Sequence, residues 1–545
     1  MYHKETNLVH AIFGTRQSRL VAISITFLTT LFTLTLLFYL AITPSTAFED
    51  DVEAYHIPTP SPLEGVWGFG SDGVGKLKGW LGMDGRDRYA EALQLRELRS
   101  TFDQRYPADP ERPARSLNGP ALERLAHCIE YNTCGKGEET VVLLSSFHFI
   151  NAQQGRTGGE DIWARSSIEA FTSLNYTLLY TTAPMDTLTL YQGLKDRVKL
   201  VIWEGTELKS CLKRNESNWK DLEIDHTPGK WQKAINAQIQ EEKKESGEKS
   251  SRSGFGCIKR DGYEDGIPLS KSFTFHFWEG SENPLGHGFT LAPEDFSQWS
   301  KDGTGNRYLG YSIESRCKVI ELPSSRQHRG MVLGKRAQYL NATLKDWMWR
   351  SDHSLDKLIT SMPSGLDKHG EEVEFEMIAT GGTTRDGVPE VLYDGPIRNL
   401  GTMQQDRWFQ TLAESKFLLG VGKPALSPSP FDALCFGVPF INPITWFDQT
   451  DPDNWTLWQT QHNGLRGIPA PYVYNVQKGN MEQLNQAMRD AVSNPIGRYI
   501  PPQMTREAVM ERHRILVETD WTEQAEKAVE ELYIAKGRDV SYDDK

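Results

Sequence analysis

The sequence predicts an α/β protein with two doubly wound domains that face a cleft, an N-terminal transmembrane helix and C-terminal helices. Three observations predict this fold. Short apolar runs alternate with helix-length stretches in two series, as in βαβ units. Residues 20–42 carry no charged side chain and are long enough to span a bilayer. Residues 420–443 read GVGKPALSPSPFDALCFGVPFINP, an order of loop, helix and strand that places a ligand-binding loop at a sheet edge.

The composition fits a large folded protein that does not bind nucleic acid. The chain has 545 residues, 38% of them hydrophobic, which is enough for two or more cores. A net charge of −13 argues against nucleic acid or an anionic membrane surface as the main partner. The six cysteines include no C-x-x-C pair and no Cys/His cluster, so no metal site is predicted.

The N-terminus predicts a type II membrane topology. Arg16 and Arg19 precede the apolar run, and acidic residues follow it. The positive-inside rule then places residues 1–19 in the cytosol and the remainder in the lumen. A cleaved signal peptide is the alternative, but the apolar run is too long for a typical one, which favours a retained anchor.

A lumenal location agrees with the sequons and permits disulfides. Cys128 and Cys134 are close enough in sequence to close a small loop, whereas Cys211, Cys257 and Cys317 leave one pairing open. Cys435 is expected to be a buried free thiol. The predicted N-glycosylation sites are Asn175, Asn215, Asn341 and Asn454.

The domain order follows from the pattern of apolar runs and linkers. A Pro/Gly-rich and charged stretch predicts a stem, and a charged stretch without apolar periodicity predicts a disordered insertion. The predicted segments are the cytosolic tail 1–19, the anchor 20–42, the stem 43–138, the first domain 139–328 with the insertion 238–254, the second domain 329–500 and the C-terminal helices 501–545.

Individual elements are predicted from periodicity. Predicted strands cover residues 141–144, 176–180, 198–203, 273–278, 317–322, 331–335, 375–378, 416–420 and 438–441. Predicted helices cover residues 87–99, 161–174, 337–350, 406–416, 431–436, 481–492, 505–517 and 522–535.

Glu160 is the candidate catalytic base. It follows Gly158-Gly159, which permit a tight turn from the first strand into its helix. At a helix N-terminus the macrodipole favours the ionised carboxylate, which could accept a proton from an attacking hydroxyl. The alternative is a helix-capping glutamate.

Four further residues are candidates for binding a nucleotide sugar. Gly422 and Pro430 shape the loop, and Asp432 lies in the first helical turn after it, where a carboxylate could accept ribose hydroxyls and free N–H groups could face phosphates. Lys335 ends the first strand of the second domain and could meet a diphosphate. An ordinary βαβ turn with a surface aspartate and a surface lysine are the alternatives.

One further acidic pattern is interpreted as a turn. Asp451-Pro-Asp453 could hold a metal–diphosphate, but its Pro/Asn-rich surroundings favour a solvated turn. The sequence contains no G-x-S-x-G, H-E-x-x-H or P-loop motif.

Residues 420–443 resemble the donor-site segment of glycosyltransferase family 18. The family pattern G-L-G-F-P-Y-E-G-P-A-P-L-E-A-I-A-N-G, ending in F-L-N-P, aligns with this segment without a gap. Similar patches extend the resemblance over about residues 139–520; they are Gly159-Glu160, residues 332–335, Gln461-His462 and residues 471–474.

The resemblance implies a GT-B fold of two Rossmann-type domains and an inverting, metal-independent transfer from a UDP-sugar, without a cofactor. It implies Glu160 as the base, Asp432 as the ribose ligand and a Golgi type II membrane protein. By family analogy, N-acetylglucosamine would pass from UDP-GlcNAc to a mannose hydroxyl of a glycoprotein N-glycan in β1,6 linkage.

Two departures leave alternatives open. The first acidic residue of the family pattern falls on Leu426, and the following glycine falls on Ser427. The alternatives are therefore a GT-B glycosyltransferase with another donor or acceptor, or a non-catalytic membrane-anchored glycan-binding protein.

Overall fold

The computed structural model describes residues 83–105, 117–212, 257–259, 265–298, 305–340, 347–349, 352–367, 369–382, 384–385, 388–389 and 395–536. These residues belong to one compact unit, Gly75–Lys545. The predicted tail, anchor and insertion lie outside the described residues, as do Asn215 and Asn341. No helix in the described ranges is both long and apolar enough to cross a bilayer.

The first half of the chain forms a six-stranded parallel sheet with strand order β2-β1-β3-β4-β5-β6. Alternate side chains of β1 enter different cores: Val142 and Leu144 pack in one, and Val141 and Leu143 in the other. Both faces of the sheet are therefore covered, as parallel sheets require. The strands are β1 Val141–Ser145, β2 Thr177–Tyr180, β3 Val198–Trp203, β4 Ser272–Phe275, β5 Thr290–Ala292 and β6 Arg307–Tyr308.

Six helices of the described residues accompany this sheet. The central one, α4, stacks Trp163 on Phe275 of β4, with ring centroids 3.6 Å apart. The helices are α1 Met83–Arg105, α2 Asn118–Tyr131, α3 Phe147–Gln153, α4 Gly159–Ser173, α5 Pro184–Leu194 and α6 Gly205–Leu212.

Helices α1 and α2 lie within the predicted stem, residues 43–138, but they pack as part of the folded body. Leu95 of α1 and Leu122 of α2 are buried in the same core as Leu143. Arg197, which precedes β3, forms an ion pair with Glu91 of α1. The part of the predicted stem that the structure describes therefore covers one face of the first sheet.

The second half forms a seven-stranded sheet with the order β13-β10-β7-β14-β15-β16, in which β17 also pairs with β15. Its pairings are parallel except for that of β15 with β16. The predicted α/β fold with parallel sheets is therefore confirmed. The strands are β7 Arg329–Val332, β8 Gly365–Leu366, β9 Glu372–Val373, β10 Glu376–Ala379, β11 Thr384–Arg385, β12 Val388–Pro389, β13 Ile397–Asn399, β14 Leu418–Leu419, β15 Phe440–Trp446, β16 Gln459–Thr460 and β17 Val473–Gln477.

The remaining helices include the three predicted at the C-terminus. Asn480 and Thr505 cap the first two of these by accepting hydrogen bonds from backbone N–H groups. The helices are α7 Glu314–Cys317, α8 Ser354–Thr360, α9 Gln405–Ala413, α10 Ser429–Cys435, α11 Met481–Ser493, α12 Arg506–Glu518 and α13 Thr522–Lys536.

Two predicted elements are wrong. Among the described residues of the helix predicted over residues 337–350, Ala337–Leu340 form a 3₁₀ turn and residues 347–349 are not helical. Their tryptophans fill the core of the second sheet instead. The strand predicted over residues 317–322 is replaced by the end of α7 and a turn, because Arg498 donates hydrogen bonds to the carbonyls of Cys317 and Ile320.

All six cysteines are paired in the structure. Cys128 is bonded to Cys134, with Cα atoms 4.6 Å apart, and Cys211 to Cys257, with Cα atoms 4.8 Å apart. Cys435 was expected to be a free thiol, but it is bonded to Cys317. That bond was not predicted because it joins residues 118 positions apart.

Arg316 lies next to this disulfide, in the segment that connects the two sheets. It forms an ion pair with Asp432 of α10. Arg316 Nε and Nη2 donate to the two carboxylate oxygens of Asp432 at 2.9 and 2.7 Å. The side chains are only 13% and 2% exposed. Burial alone would lower the pKa of Arg316, but the charge and hydrogen bonds of Asp432 raise it overall. Arg316 therefore keeps its charge although it is buried.

Removing one charge from this pair is expected to destabilise the protein strongly. Asp432→Asn leaves the buried guanidinium of Arg316 without its counter-ion, which costs about 3–5 kcal/mol. Urea unfolding followed by tryptophan fluorescence measures the loss. Glu376→Gln, in the exposed pair with Arg398, is the matched control and should cost about 0–1 kcal/mol. Equal losses in the two variants would contradict this role of the buried pair.

Candidate active site

Several polar side chains gather at the carboxyl edge of the first sheet. Ser146 and His148 follow β1, and Glu204 follows β3. Ser146 Oγ donates a hydrogen bond of 2.7 Å to Glu204 Oε2. Because the carboxyl ends of parallel strands meet at one edge, these loops lie side by side.

The start of α4 is fixed at this edge by Asp161. Asp161 Oδ2 accepts a hydrogen bond of 3.3 Å from the Gly158 N–H, which caps the helix. Asp161 Oδ1 lies 2.9 Å from His148 Nδ1. Asp161 is buried, whereas the adjacent Glu160 is partly exposed. The capping carboxylate is therefore Asp161, and Glu160 is not used as the cap.

The charges around Glu160 are mixed. Burial by itself would lower the pKa of His148, but its hydrogen bond to Asp161 and the charges of nearby carboxylates raise it overall. Burial raises the pKa of Glu204, and burial together with the charge of Glu204 raises the pKa of Glu207 to about 7. His148 and Glu204 thus lie close enough to the candidate base for its charge to act on them, and groups of shifted pKa are common at catalytic sites.

Sequence reasoning did not single out His148, Asp161 or Glu204 for this edge. A weak signal was present for two of them. His148 lies three positions after the last residue of β1, and Asp161 lies three positions after the helix-capping Gly158. The position of Glu204 depends on the parallel pairing of β1 with β3, which the local pattern does not specify.

The start of α4 also touches the loop that follows β14. A Cβ atom added to Gly159 would lie 3.1 Å from Phe277 Cζ and 3.6 Å from Pro428 Cδ. A Cβ atom at this position would therefore crowd Phe277 and touch Pro428, so the glycine favours the close approach of the three segments. The residue preceding Glu160 is thus packed against the loop of the 420–443 segment, and the structure brings these two predicted features together.

We call residues 420–428 the proline loop. Gly422 has a positive φ of 104°, in a region favourable only for glycine. Leu426 also has a positive φ, 52°, which is uncommon for a residue with a side chain. Its side chain is 9% exposed and packs in the apolar core. The position where the family pattern has an acid is therefore buried and apolar here.

Buried side chains hold the proline loop in place. Trp349 Nε1 donates a hydrogen bond of 3.1 Å to the Gly420 carbonyl. Gln461, which is 2% exposed, accepts a hydrogen bond of 2.7 Å from the Gly422 N–H and donates one of 3.0 Å to the Pro424 carbonyl.

The helix α10 that follows the loop differs from expectation. Its first N–H groups are not free: Ser429 N–H bonds Ser427 Oγ, and those of Phe431 and Asp432 bond the Pro428 carbonyl. Pro430 has no N–H group. The expectation that free N–H groups at this helix start face phosphates is thereby corrected.

Asp432 is likewise not open to a ribose in this conformation. It is 1% exposed, and each of its carboxylate oxygens accepts a hydrogen bond from Arg316. Its partner lies 116 positions earlier in the chain, so the spacing within the motif could not reveal the pair. The expected ribose contact would require this pair to open.

Lys335 lies on the same sheet edge as the proline loop. It follows β7, which pairs with β14, and its side chain is exposed. The loops after these two neighbouring parallel strands end side by side. Lys335 is therefore an accessible positive charge at the edge where the proline loop begins.

Two buried groups, the carboxyl of Glu294 and the imidazole of His462, lie close together next to α10. Glu294 Oε1 lies 3.8 Å from His462 Nε2. Burial raises the pKa of Glu294 to about 8 and lowers that of His462 to about 3, so both groups are neutral at pH 7. The ring of Phe431 packs edge-on against His462, with centroids 4.8 Å apart. Of this pair, only His462 belongs to a patch that resembles the family pattern, Gln461-His462.

The described residues contain no group of three or more His, Cys, Asp or Glu side chains that could hold a metal ion.

In the predicted turn, Asp451 Oδ2 accepts a hydrogen bond from Asn454 Nδ2 at 3.0 Å. Asp451 and Asp453 are exposed, as is the sequon residue Asn175.

Comparison with known proteins finds relatives of the second half of the chain. Residues 272–529 match the model of glycosyltransferase family 18. The human alpha-1,6-mannosylglycoprotein 6-beta-N-acetylglucosaminyltransferase A is 23% identical over 254 residues, which are 44% of this chain and 31% of that protein. The human enzyme B of the same description is 23% identical over 155 residues, 25% of this chain and 19% of that protein.

A solved structure, that of a mutant O-GlcNAc transferase of Thermobaculum terrenum, is 12% identical and covers 79% of this chain and 81% of its own, with a TM-score of 0.28. At that score the likeness supports no conclusion about this chain.

The family match has defined limits. The chain spans less than a third of the length of the human enzyme A that it matches. The match includes the proline loop and α10 but not Glu160. The resemblance predicted from residues 420–443 is nevertheless confirmed, because residues 272–529, a little under half of the chain, match the model of glycosyltransferase family 18.

Proposed function

We propose that this protein is an inverting glycosyltransferase that moves a sugar from a UDP-sugar to a hydroxyl group of a glycan. The observation that carries the proposal is the packing of Gly159 against Pro428. It joins the helix start that bears a partly exposed carboxylate to the loop of the family 18 donor motif. An acceptor between the two sheet edges would then meet both the base and the donor.

The proposed reaction is a single displacement at the anomeric carbon. The Glu160 carboxylate takes the proton of the acceptor hydroxyl while its oxygen attacks the anomeric carbon, and the bond to the UDP oxygen breaks. The new glycosidic bond forms on the opposite face, so the configuration inverts. Asp161 supports this role because it caps α4 and leaves Glu160 free of that task.

The departing UDP needs positive charge near its phosphates. Lys335 is proposed to supply it, because its side chain is exposed at the edge where the proline loop begins. The N–H groups at the start of α10 are already bonded, so they are not assigned this role. Transfer is proposed to need neither a metal ion nor a cofactor, as the family resemblance implies.

The proposed donor and acceptor follow the names of the relatives. N-acetylglucosamine would pass from UDP-GlcNAc to a mannose hydroxyl of a glycoprotein N-glycan in β1,6 linkage. Leu426 favours a second candidate, a different donor sugar, because a buried leucine stands where the family has a carboxylate.

The proposed setting is that of a GT-B enzyme in the secretory pathway. Two mostly parallel sheets, one from each half of the chain, support the GT-B assignment. A Golgi type II protein, anchored by residues 20–42 with its catalytic part in the lumen, is supported by the uncharged N-terminal run and the sequons.

Replacing the proposed base should abolish most transfer without loss of nucleotide binding. Glu160→Gln removes the proton acceptor but preserves the size of the side chain, and general-base assistance is worth about 10²–10⁴ in rate. We expect kcat to fall by at least about 100-fold, while the dissociation constant of UDP is unchanged.

The matched control is Glu169→Gln, the same substitution at an exposed position of α4. It should keep wild-type activity. Transfer by Glu160→Gln at the wild-type rate would overturn the assignment of the base.

A donor screen separates the two candidate specificities. Release of nucleotide from UDP- and GDP-sugars is measured with an N-glycan acceptor in the presence of EDTA. We expect UDP-GlcNAc to be turned over fastest and GDP-sugars not at all. Preference for another UDP-sugar would favour the second candidate, and turnover of GDP-sugars alone would contradict the proposed nucleotide.

A further inference from the structure

Gln461 makes three hydrogen bonds to one short segment. Its Oε1 accepts from the Gly422 N–H at 2.7 Å, and its Nε2 donates to the Pro424 carbonyl at 3.0 Å. Its backbone carbonyl accepts from the Leu426 N–H at 3.2 Å. The three partners are alternate residues of the proline loop, so one residue bonds the loop along most of its length.

Gln461 is itself fixed by the sheet. Its N–H donates a hydrogen bond of 2.9 Å to the carbonyl of Pro443 in β15, and its side chain is almost fully buried. A Cβ atom added to Gly420 would lie 2.5 Å from Gln461 Oε1, which explains why a glycine begins the loop. The side-chain amide of Gln461 is therefore held in a fixed position, and the proline loop is hydrogen-bonded to it.

The proline loop depends on this outside support. Pro424 and Pro428 have no N–H group, and the positive φ values of Gly422 and Leu426 interrupt any regular backbone pairing. Without Gln461, the buried N–H of Gly422 and the partly buried carbonyl of Pro424 would each lose a partner, and unpaired buried groups are costly. The loop would then shift to reach water.

We infer that Gln461 is a positioning residue for the donor: it shapes the proline loop into the form that binds UDP without touching the nucleotide. This inference rests on the proposed function, because the loop is taken to be the nucleotide site. A shift of about 1 Å in such a loop is enough to weaken binding strongly.

The first test is the binding of UDP to Gln461→Met, measured by isothermal titration calorimetry. Methionine preserves the volume but makes neither side-chain hydrogen bond. We expect the dissociation constant of UDP to rise at least about tenfold. The control Gln459→Met, the same substitution at an exposed position two residues earlier, should stay within about twofold of wild type.

The second test uses pH to restore the lost bond. In Gln461→Glu the ionised carboxylate can accept from Gly422 but cannot donate to the Pro424 carbonyl. Protonation restores that donor, and burial favours the protonated form. The ratio of the variant and wild-type dissociation constants should therefore approach one at about pH 5.5 and rise at least about tenfold by about pH 8. This variant retains both bonds when protonated, so it serves even where the methionine variant does not fold.

The outcomes are distinguishable. If the wild-type protein does not bind UDP, the proposed function is overturned. If the wild-type protein binds UDP and Gln461→Glu binds it equally well at both pH values, the inference about Gln461 is overturned. Affinity lost equally at both pH values in folded protein would also contradict it, since that result would come from general disruption of the core.

Discussion

The site depends on the close approach of α4 to the proline loop. Gly159 has no side chain, and Phe277 and Pro428 occupy the space around it. A Cβ atom here would crowd Phe277 and would already touch Pro428, so a bulky side chain would be expected to widen the gap between α4 and the proline loop. The spacing within the candidate site therefore depends on the small size of Gly159, where the three segments meet.

The two sides of this junction are fixed by different means. On the first side, Asp161 both caps α4 and bonds His148, so the turn before Glu160 is tied to the loop after β1. On the second side, Gln461 and Trp349 bond the backbone of the proline loop. Such rigid support reduces the reorganisation that a catalytic site needs when substrate binds.

Features that depend on local pattern could be predicted from the sequence, and those that depend on distant contacts could not. Strand β3 has the bounds predicted for it, Val198–Trp203, because a run of β-branched and apolar residues between polar ones defines a buried strand. The three C-terminal helices could be predicted because their apolar residues recur with the period of an amphipathic helix. Residues 347–349, in contrast, look helical but are tryptophan-rich packing segments of the second core.

The same limit applies to the site. The Gly-Gly-Glu turn is one uninterrupted stretch of sequence, and the 420–443 motif is another. Each can therefore be recognised from the sequence. Gln461 bonds a residue 39 positions away, and Arg316 bonds Asp432 across 116 positions. The spacing of residues within the motif does not indicate either of these distant partners. The ion pair changes the interpretation of Asp432 from an open ribose ligand to a buried structural carboxylate in the conformation described.

The central claim is that UDP binds at the proline loop opposite Glu160. A crystal structure of the protein with UDP tests it most directly. We predict that the diphosphate lies against residues 420–428 and within reach of Lys335, on the side of the cleft that faces the start of α4. A UDP molecule bound elsewhere, or separated from Glu160 by the body of either sheet, would contradict the account.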